Sequence, residues 1–213
     1  MAFDYKKEYK EFYLPKNKPE IVTIPLMNFI AVRGKGDPNE ENGDYKKSIG
    51  TLYALAFTIK MSKLTSHRID GYFDYVVPPL EGSWYQEGKE NCGSFDYSDK
   101  SSFSWISVIR LPDFVTKDVF DWAVQSVTTK KGLDCSAAEF LTVDEGLCVQ
   151  MMHIGPYDDE PKTVKMMDDY IAANGCVNDF TPARLHHEIY LSDPRRAKPE
   201  NLKTVVRHPI RKA

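Results

Sequence analysis

No apolar run in this 213-residue chain approaches the ~20 residues needed to cross a bilayer, and residues 1–20 lack a signal-peptide pattern. A cytoplasmic protein with no membrane partner is expected. Net charge is also lacking: 28 basic against 31 acidic residues leave -3, which supplies no field to attract nucleic acid or an anionic membrane. The four cysteines, Cys92, Cys135, Cys148 and Cys176, form no CxxC pair and no zinc-spaced cluster, so reduced, buried thiols are expected. The chain has no G-x-S-x-G elbow and no Walker loop. "GKGDPN" has neither the third glycine of a dinucleotide fingerprint nor a phosphate-binding lysine. Nucleotide chemistry is therefore not indicated, and no cofactor is expected.

What is present is a core-sized apolar fraction, 42%, and many aromatic rings: 11 Phe, 12 Tyr and 3 Trp. Several of these, including Tyr85, Trp105, Tyr157 and Tyr190, fall in or beside expected strands, where a ring is either core or the wall of a flat-ligand pocket. Residues 1–20 read as an irregular or partly helical lead-in. From 21 to 34 the β-branched run IVTIPLMNFIAVRG predicts a strand, ended by a loop rich in Gly, Pro, Asn and Asp. Ile49, Leu52, Tyr53, Ala56, Phe57 and Leu64 recur at helical spacing and predict a helix over 45–65. Strands follow in DGYFDYVVPPL, ended by Pro78 and Pro79, and in SFSWISVIRLP.

Thr116 can cap a connector helix over about 116–132, which Gly132 ends. The order then repeats from about 145 to 210: strand GLCVQMMHIG, helix PKTVKMMDDYIAANG, strands RLHHEIYLS and LKTVVRHPI. "AVRGKGDPNEE" and "MHIGPYDDEP" both leave a strand at Gly through an acidic, Pro-containing turn, and "YFDYVVPP" and "HHEIYLSDP" take the equivalent third places. The reading is an α+β fold in one domain over 21–213. It contains two pseudo-symmetric β-α-β-β units, about 21–115 and about 145–210, forming antiparallel sheets with helices packed on them and a ligand cleft between the halves.

Strand alternation splits the His-His-Glu cluster. His186, Glu188 and Tyr190 share one face; Leu185, His187, Ile189 and Leu191 share the other. The apolar set marks the core, so Glu188 faces either solvent or a cleft, where it could act as a base or as an anion for a cationic ligand. His187 and His153 read as hydrogen-bonded core histidines. Adjacent His186 and His187 point apart and cannot chelate one ion together, and no metal is expected. Arg195, Arg196, Arg207, Arg211 and Lys212 read as solvated loop charges or carboxylate partners.

"PLEGSWY" (79–85), "FSWISVIRLPDFVT" (103–116), "EGLCVQMMHIGPYDDEP" (145–161) and "HHEIYLSDPRR" (186–196) together resemble the GyrI-like small-molecule-binding family, over nearly all of the chain beyond the lead-in. The resemblance implies paired β-α-β-β units around a cleft and a ligand site centred on the carboxylate that Glu188 matches. The LEG-W and HHEIYLSDPRR segments look like those of stand-alone members known as cyclopropanoid cyclopropyl hydrolases, which open the strained ring of flat DNA-alkylating compounds such as yatakemycin within an aromatic cage. Ser83 and Tyr85 depart from that pattern, which more often has an apolar residue and Trp there. No helix-turn-helix segment flanks the domain, so the resemblance implies a free-standing protein, monomer or homodimer, rather than a regulator.

By the same resemblance Glu188 would activate water and Tyr157 would donate to the developing oxyanion. Trp84, Tyr85, Trp105, His186 and Tyr190 would line the ligand site. The alternative reading is a non-catalytic binder or sensor of cationic or planar aromatic drugs. A protein-interaction role, on a target such as DNA gyrase, is suggested only by the family's name.

Overall fold

A computed structural model describes residues 2–89, 95–96 and 98–213; Cys92 lies outside the described residues. Nine strands and five helices follow one another in the order expected of two related halves. In the first half β2 (Met27–Lys35) leads to α3 (Asp44–Lys60), β3 (Leu80–Gln86) and β4 (Phe103–Arg110). In the second, β6 (Gly146–Ile154) leads to α5 (Glu160–Ala173), β8 (His186–Tyr190) and β9 (Lys203–Lys212). The two units share one continuous sheet. Its order places β6, β9 and β8 against β3, β4 and β2, so the pseudo-twofold relation runs between β8 and β3. The outer strands are exchanged: β1 (Glu20–Ile24) pairs with β6, and β5 (Ala138–Val143) pairs with β2.

Several expected boundaries move, each for a backbone reason. The run from 21 to 34 is two strands, because Pro25 cannot donate to the ladder and the chain crosses there to the other half. The strand expected in DGYFDYVVPPL is irregular apart from a single bridge between Phe3 and Tyr75. Pro78 and Pro79 precede the true strand, LEGSWYQ, instead of ending one, so β3 rather than "YFDYVVPP" is the counterpart of β8. β5 and the short β7 (Cys176–Asn178) were not expected from periodicity.

The helix over Lys117–Lys131, α4, begins as expected. Thr116 Oγ1 accepts from the Val119 N–H at 3.4 Å, and Gly132 takes the left-handed conformation that ends it. It is more than a connector. Phe120, Ala123 and Val127 bury against the same core as Leu52, Leu55, Ala56 and Ile59 of α3.

Helices α3, α4 and α5 cover one face of the sheet. The lead-in covers part of the other. Its two short turns, α1 (Tyr5–Glu8) and α2 (Lys10–Tyr13), bury Tyr5 and Tyr13 with Tyr75, Met152, Ile189 and Val205. Hydrogen bonds to its carbonyls tie it down: the Met152 N–H donates to the Lys16 carbonyl, and the Arg207 side chain donates from Nη2 to the Phe12 carbonyl at 2.8 Å. Cys135, Cys148 and Cys176 are free, buried thiols. No helix among the described residues is long and apolar enough to cross a membrane.

Candidate functional site

β8 and β3 meet at the centre of the sheet, and their register builds the site. Trp84 stands opposite His186 and Gly82 opposite Glu188, while Trp105 of β4 stands opposite Trp84 and Gly34 of β2 opposite Trp105. Opposed residues share a face, so a row of large rings runs across the helix-covered side. Two glycines make room for it. A Cβ on Gly34 would lie 2.2 Å from the Trp105 indole, and one on Gly82 would lie 2.8 Å from Trp84 Nε1 and 3.1 Å from the Tyr190 hydroxyl. Over Gly82, Trp84 Nε1 donates to that hydroxyl at 2.8 Å.

The starts of the two equivalent helices deliver two more rings. Tyr45, in the first turn of α3, lies 5.2 Å from Trp84 and 5.3 Å from Trp105 between ring centres. Tyr157, in the 3-10 turn before α5, meets Tyr190 edge-on at 6.0 Å. Burial, then the charge of Glu188, pushes the Tyr157 hydroxyl up to about 12. Burial also raises Tyr45 and Tyr190. All three phenols stay protonated at neutral pH, as hydrogen-bond donors.

Beneath the rings is a charged cluster. His186 Nε2 lies 3.2 Å from Glu188 Oε1 and 3.2 Å from Glu160 Oε1. Its Nδ1 lies 2.7 Å from His208 Nε2. Burial opposes a charge on His186, yet Glu160 and Glu188 outweigh it and lift the imidazole to about 9. Burial and the charged His186 hold His208 well below the usual histidine range, so it is neutral and accepts at Nε2. Burial and Glu188 raise Glu160. The three inner side chains are sealed, whereas that of Glu188 keeps 12% of its surface open.

Of the residues singled out from sequence, Glu188, Tyr157, Trp84 and Tyr190 come together. His186 belongs to the cluster and lies under Glu188, 1% exposed. Trp105 is sealed in the core and forms the floor of the ring row rather than a wall. Tyr85 does not join them. Next to Trp84 on a strand, it points to the opposite face and packs against the apolar cluster there that includes Phe29, Ile106 and Leu185. Sequence reasoning missed Tyr45, Glu160 and His208. Tyr45 and Glu160 had a signal, since both stand where an acidic turn enters the helix of its repeat.

On the other face, His187 is indeed a hydrogen-bonded buried histidine, but its setting is ionic rather than apolar. Nδ1 bonds Glu145 Oε1 at 2.7 Å, and Nε2 lies 3.0 Å from Glu81 Oε2 at an angle too poor for a hydrogen bond. Arg207 donates to Glu145 Oε2 at 2.8 Å and to Gln150, so it is a buried carboxylate partner and not a loop charge. His153, also buried, bonds Thr163 Oγ1 at 2.8 Å and the Pro156 carbonyl at 3.0 Å. Glu160, His186 and Glu188 are the described residues whose donor atoms approach one another closely enough, within 4.8 Å, to surround a cation. His186 Nε2 lies 3.2 Å from each of the two carboxylates. Two open surface depressions, one beside Asp144 and Arg211 and one beside Phe3 and Phe73, include none of the residues singled out as site candidates.

Comparison with known proteins agrees with this architecture. No curated protein matches the chain. Among solved structures, a Listeria innocua protein described as a hydrolase is 46% identical, with a TM-score of 0.88 over 99% of this chain and 100% of that one. A second, described as an uncharacterized conserved protein of Listeria innocua, is 48% identical with a TM-score of 0.90 over the same shares. The EcmrR C-terminal domain is 12% identical, with a TM-score of 0.52 over 92% of this chain and 98% of that one, and shares the fold alone. The model of the GyrI-like small molecule binding domain matches residues 17–211, and the chain belongs to that family.

Proposed function

We propose that the protein hydrolyses the cyclopropane of flat, cyclopropanoid DNA-alkylating compounds by water attack beside Glu188. One observation carries the reading. Glu188 is a carboxylate with an open edge, held at the base of a group of rings from four separate elements: Tyr45, Trp84, Tyr157 and Tyr190. The 46%-identical relative described as a hydrolase supports an enzyme, and the resemblance of the LEG-W and HHEIYLSDPRR segments supplies the substrate class.

In such compounds the three-membered ring is conjugated to a dienone. Water oxygen bonds to the ring methylene as the strained C–C bond breaks, and that electron pair passes through the dienone onto its oxygen, giving a phenolate. Glu188 takes the water proton, a contribution typically worth ~10²–10⁴-fold, and returns it through solvent to the phenolate. The Tyr157 hydroxyl donates a hydrogen bond to the growing oxyanion. The rings stack the flat substrate and keep bulk water out.

The test is incubation with a cyclopropanoid alkylator, following ring-opened product by mass spectrometry. Glu188→Gln is expected to slow turnover by ~10²-fold or more. If the variant matches wild type, Glu188 is not the base. A second reading, a binder of planar cations, draws on the two carboxylates that share one imidazolium. Tight binding by wild type with no turnover would establish it instead.

A further inference from the structure

Glu188 has a built support that the hydrolytic reading leaves unused. His186 precedes it by two residues on β8, so both side chains rise from the same face of the strand. The imidazole is sealed and both its nitrogens are engaged, Nδ1 with His208 and Nε2 between Glu188 and Glu160. Phe95 closes one side of His186 and Phe180 closes His208, each edge-on at 4.9 Å. Glu160 Oε1 is buried and accepts no hydrogen bond among the described residues, and the His186 ring, 3.2 Å away, is its ion-pair partner. A buried carboxylate left without a counter-charge is strongly destabilising.

The groups facing Glu188 and Glu160 from the surrounding elements are Tyr45 of α3, Tyr157 before α5, Tyr190 of β8 and His153 of β6. The tyrosines are neutral. His153 spends its nitrogens on Thr163 and the Pro156 carbonyl. Among the described residues, His186 is the basic group whose ring nitrogen lies within ion-pair distance of both carboxylates.

We propose that His186, seated between Glu160 and Glu188 and backed by His208, is a cationic positioning residue that holds Glu188 Oε1 in place. Glu160 completes the seat as the sealed counter-charge, and His208 orients the ring by accepting from Nδ1. The arrangement resembles a carboxylate–histidine pair with the order reversed: the carboxylate is the outer, reactive group and the histidine the inner support. Its role in turnover rests on the hydrolase reading above, but the charge arrangement does not.

The experiment therefore reads the charges directly. Carboxyl ¹³C signals of Glu-labelled protein, with Glu188 assigned by its loss in Glu188→Gln, and imidazole ¹⁵N signals are followed against pH. His186→Gln is expected to raise the Glu188 midpoint by ~1–3 pH units, because two buried carboxyls then lack their cation. Adding Glu160→Gln to His186→Gln brings the midpoint part of the way back. Glu160→Gln alone lowers the His186 midpoint, and this measurement decides the matter if His186→Gln does not fold. An unmoved Glu188 midpoint in His186→Gln overturns the proposal, as does an uncharged His186 at neutral pH. A stoichiometric metal ion whose removal by chelator changes the His186 signals overturns it too. If the midpoints move as expected but no alkylator is turned over, the seat stands and the hydrolase reading fails.

Discussion

Raising the pH from roughly 6 to 9.5 is expected to remove several kcal/mol of stability, because buried imidazoliums on both faces of the sheet must lose their protons. His187 illustrates the size. Burial opposes its charge, but Glu145 at 2.7 Å and Glu81 at 3.0 Å lift it from 6.5 to about 9. A folded-state value raised by that much corresponds to about 3 kcal/mol. The sign follows from linkage: the contribution is complete below the unfolded value of 6.5 and is lost as the pH climbs through 9. His186 adds a similar amount over the same window. With ~2–4 °C per kcal/mol for a chain of this size, each imidazolium is worth about 6–12 °C in Tm. Calorimetric melts of wild type and His187→Gln at matched ionic strength make the comparison. The variant melts lower at pH 6 and loses about half of the wild-type fall towards pH 9.5. A wild-type Tm that is flat across that range, or an identical slope in the variant, would refute the reasoning.

Three substitutions test the geometry. Gly34→Ala sets a methyl carbon 2.2 Å from the Trp105 ring, and chemical denaturation is expected to show a loss of about 3 kcal/mol or more through overpacking. Gly82→Ala presses on Trp84 Nε1 and the Tyr190 hydroxyl. A smaller loss, about 1–3 kcal/mol, should accompany a red-shifted Trp84 emission as the indole N–H leaves its partner. Tyr85→Phe keeps the ring on the far face of β3, and titration with a planar aromatic ligand should return the wild-type affinity. A tenfold weakening would put Tyr85 back in the site.

The parts legible in the sequence were those governed by local periodicity and backbone chemistry. The helices over 44–60, 117–131 and 160–173 follow apolar spacing and turn residues, and the split of His186 from His187 follows from strand alternation alone. Position within the sheet was not legible. Pro25 divides one apolar run into two strands that pair with opposite halves, and only long-range pairing decides where each goes. Glu160 escaped notice because an acidic residue at a helix start is already explained by the helix dipole. Its contact with His186 depends on where α5 crosses β8. Tyr85 was misplaced for a simpler reason: next to Trp84 in "EGSWYQ", it shares the motif but takes the opposite face.

The two histidines at the centre of the sheet occupy unlike seats on its two faces. Each takes a seat between two carboxylates, His186 with Glu160 and Glu188, His187 with Glu81 and Glu145. On the far face Arg207 adds a second cation, the Phe12 carbonyl accepts from it, and Tyr13 closes over Glu81, so the lead-in seals the cluster. Glu145, drawn down to about 2 by His187 and Arg207 against the cost of burial, has no proton to exchange near neutral pH. Among the described residues, the near face has no arginine paired with its carboxylates as Arg207 is on the far face. Two carboxyls share one imidazolium, and the less buried of them looks out among tyrosine hydroxyls and the Trp84 ring. A carboxyl at an open edge can face a ligand, whereas a sealed one can only hold the sheet together. The asymmetry between the two seats, more than the presence of either histidine, is what the proposed role of Glu188 rests on.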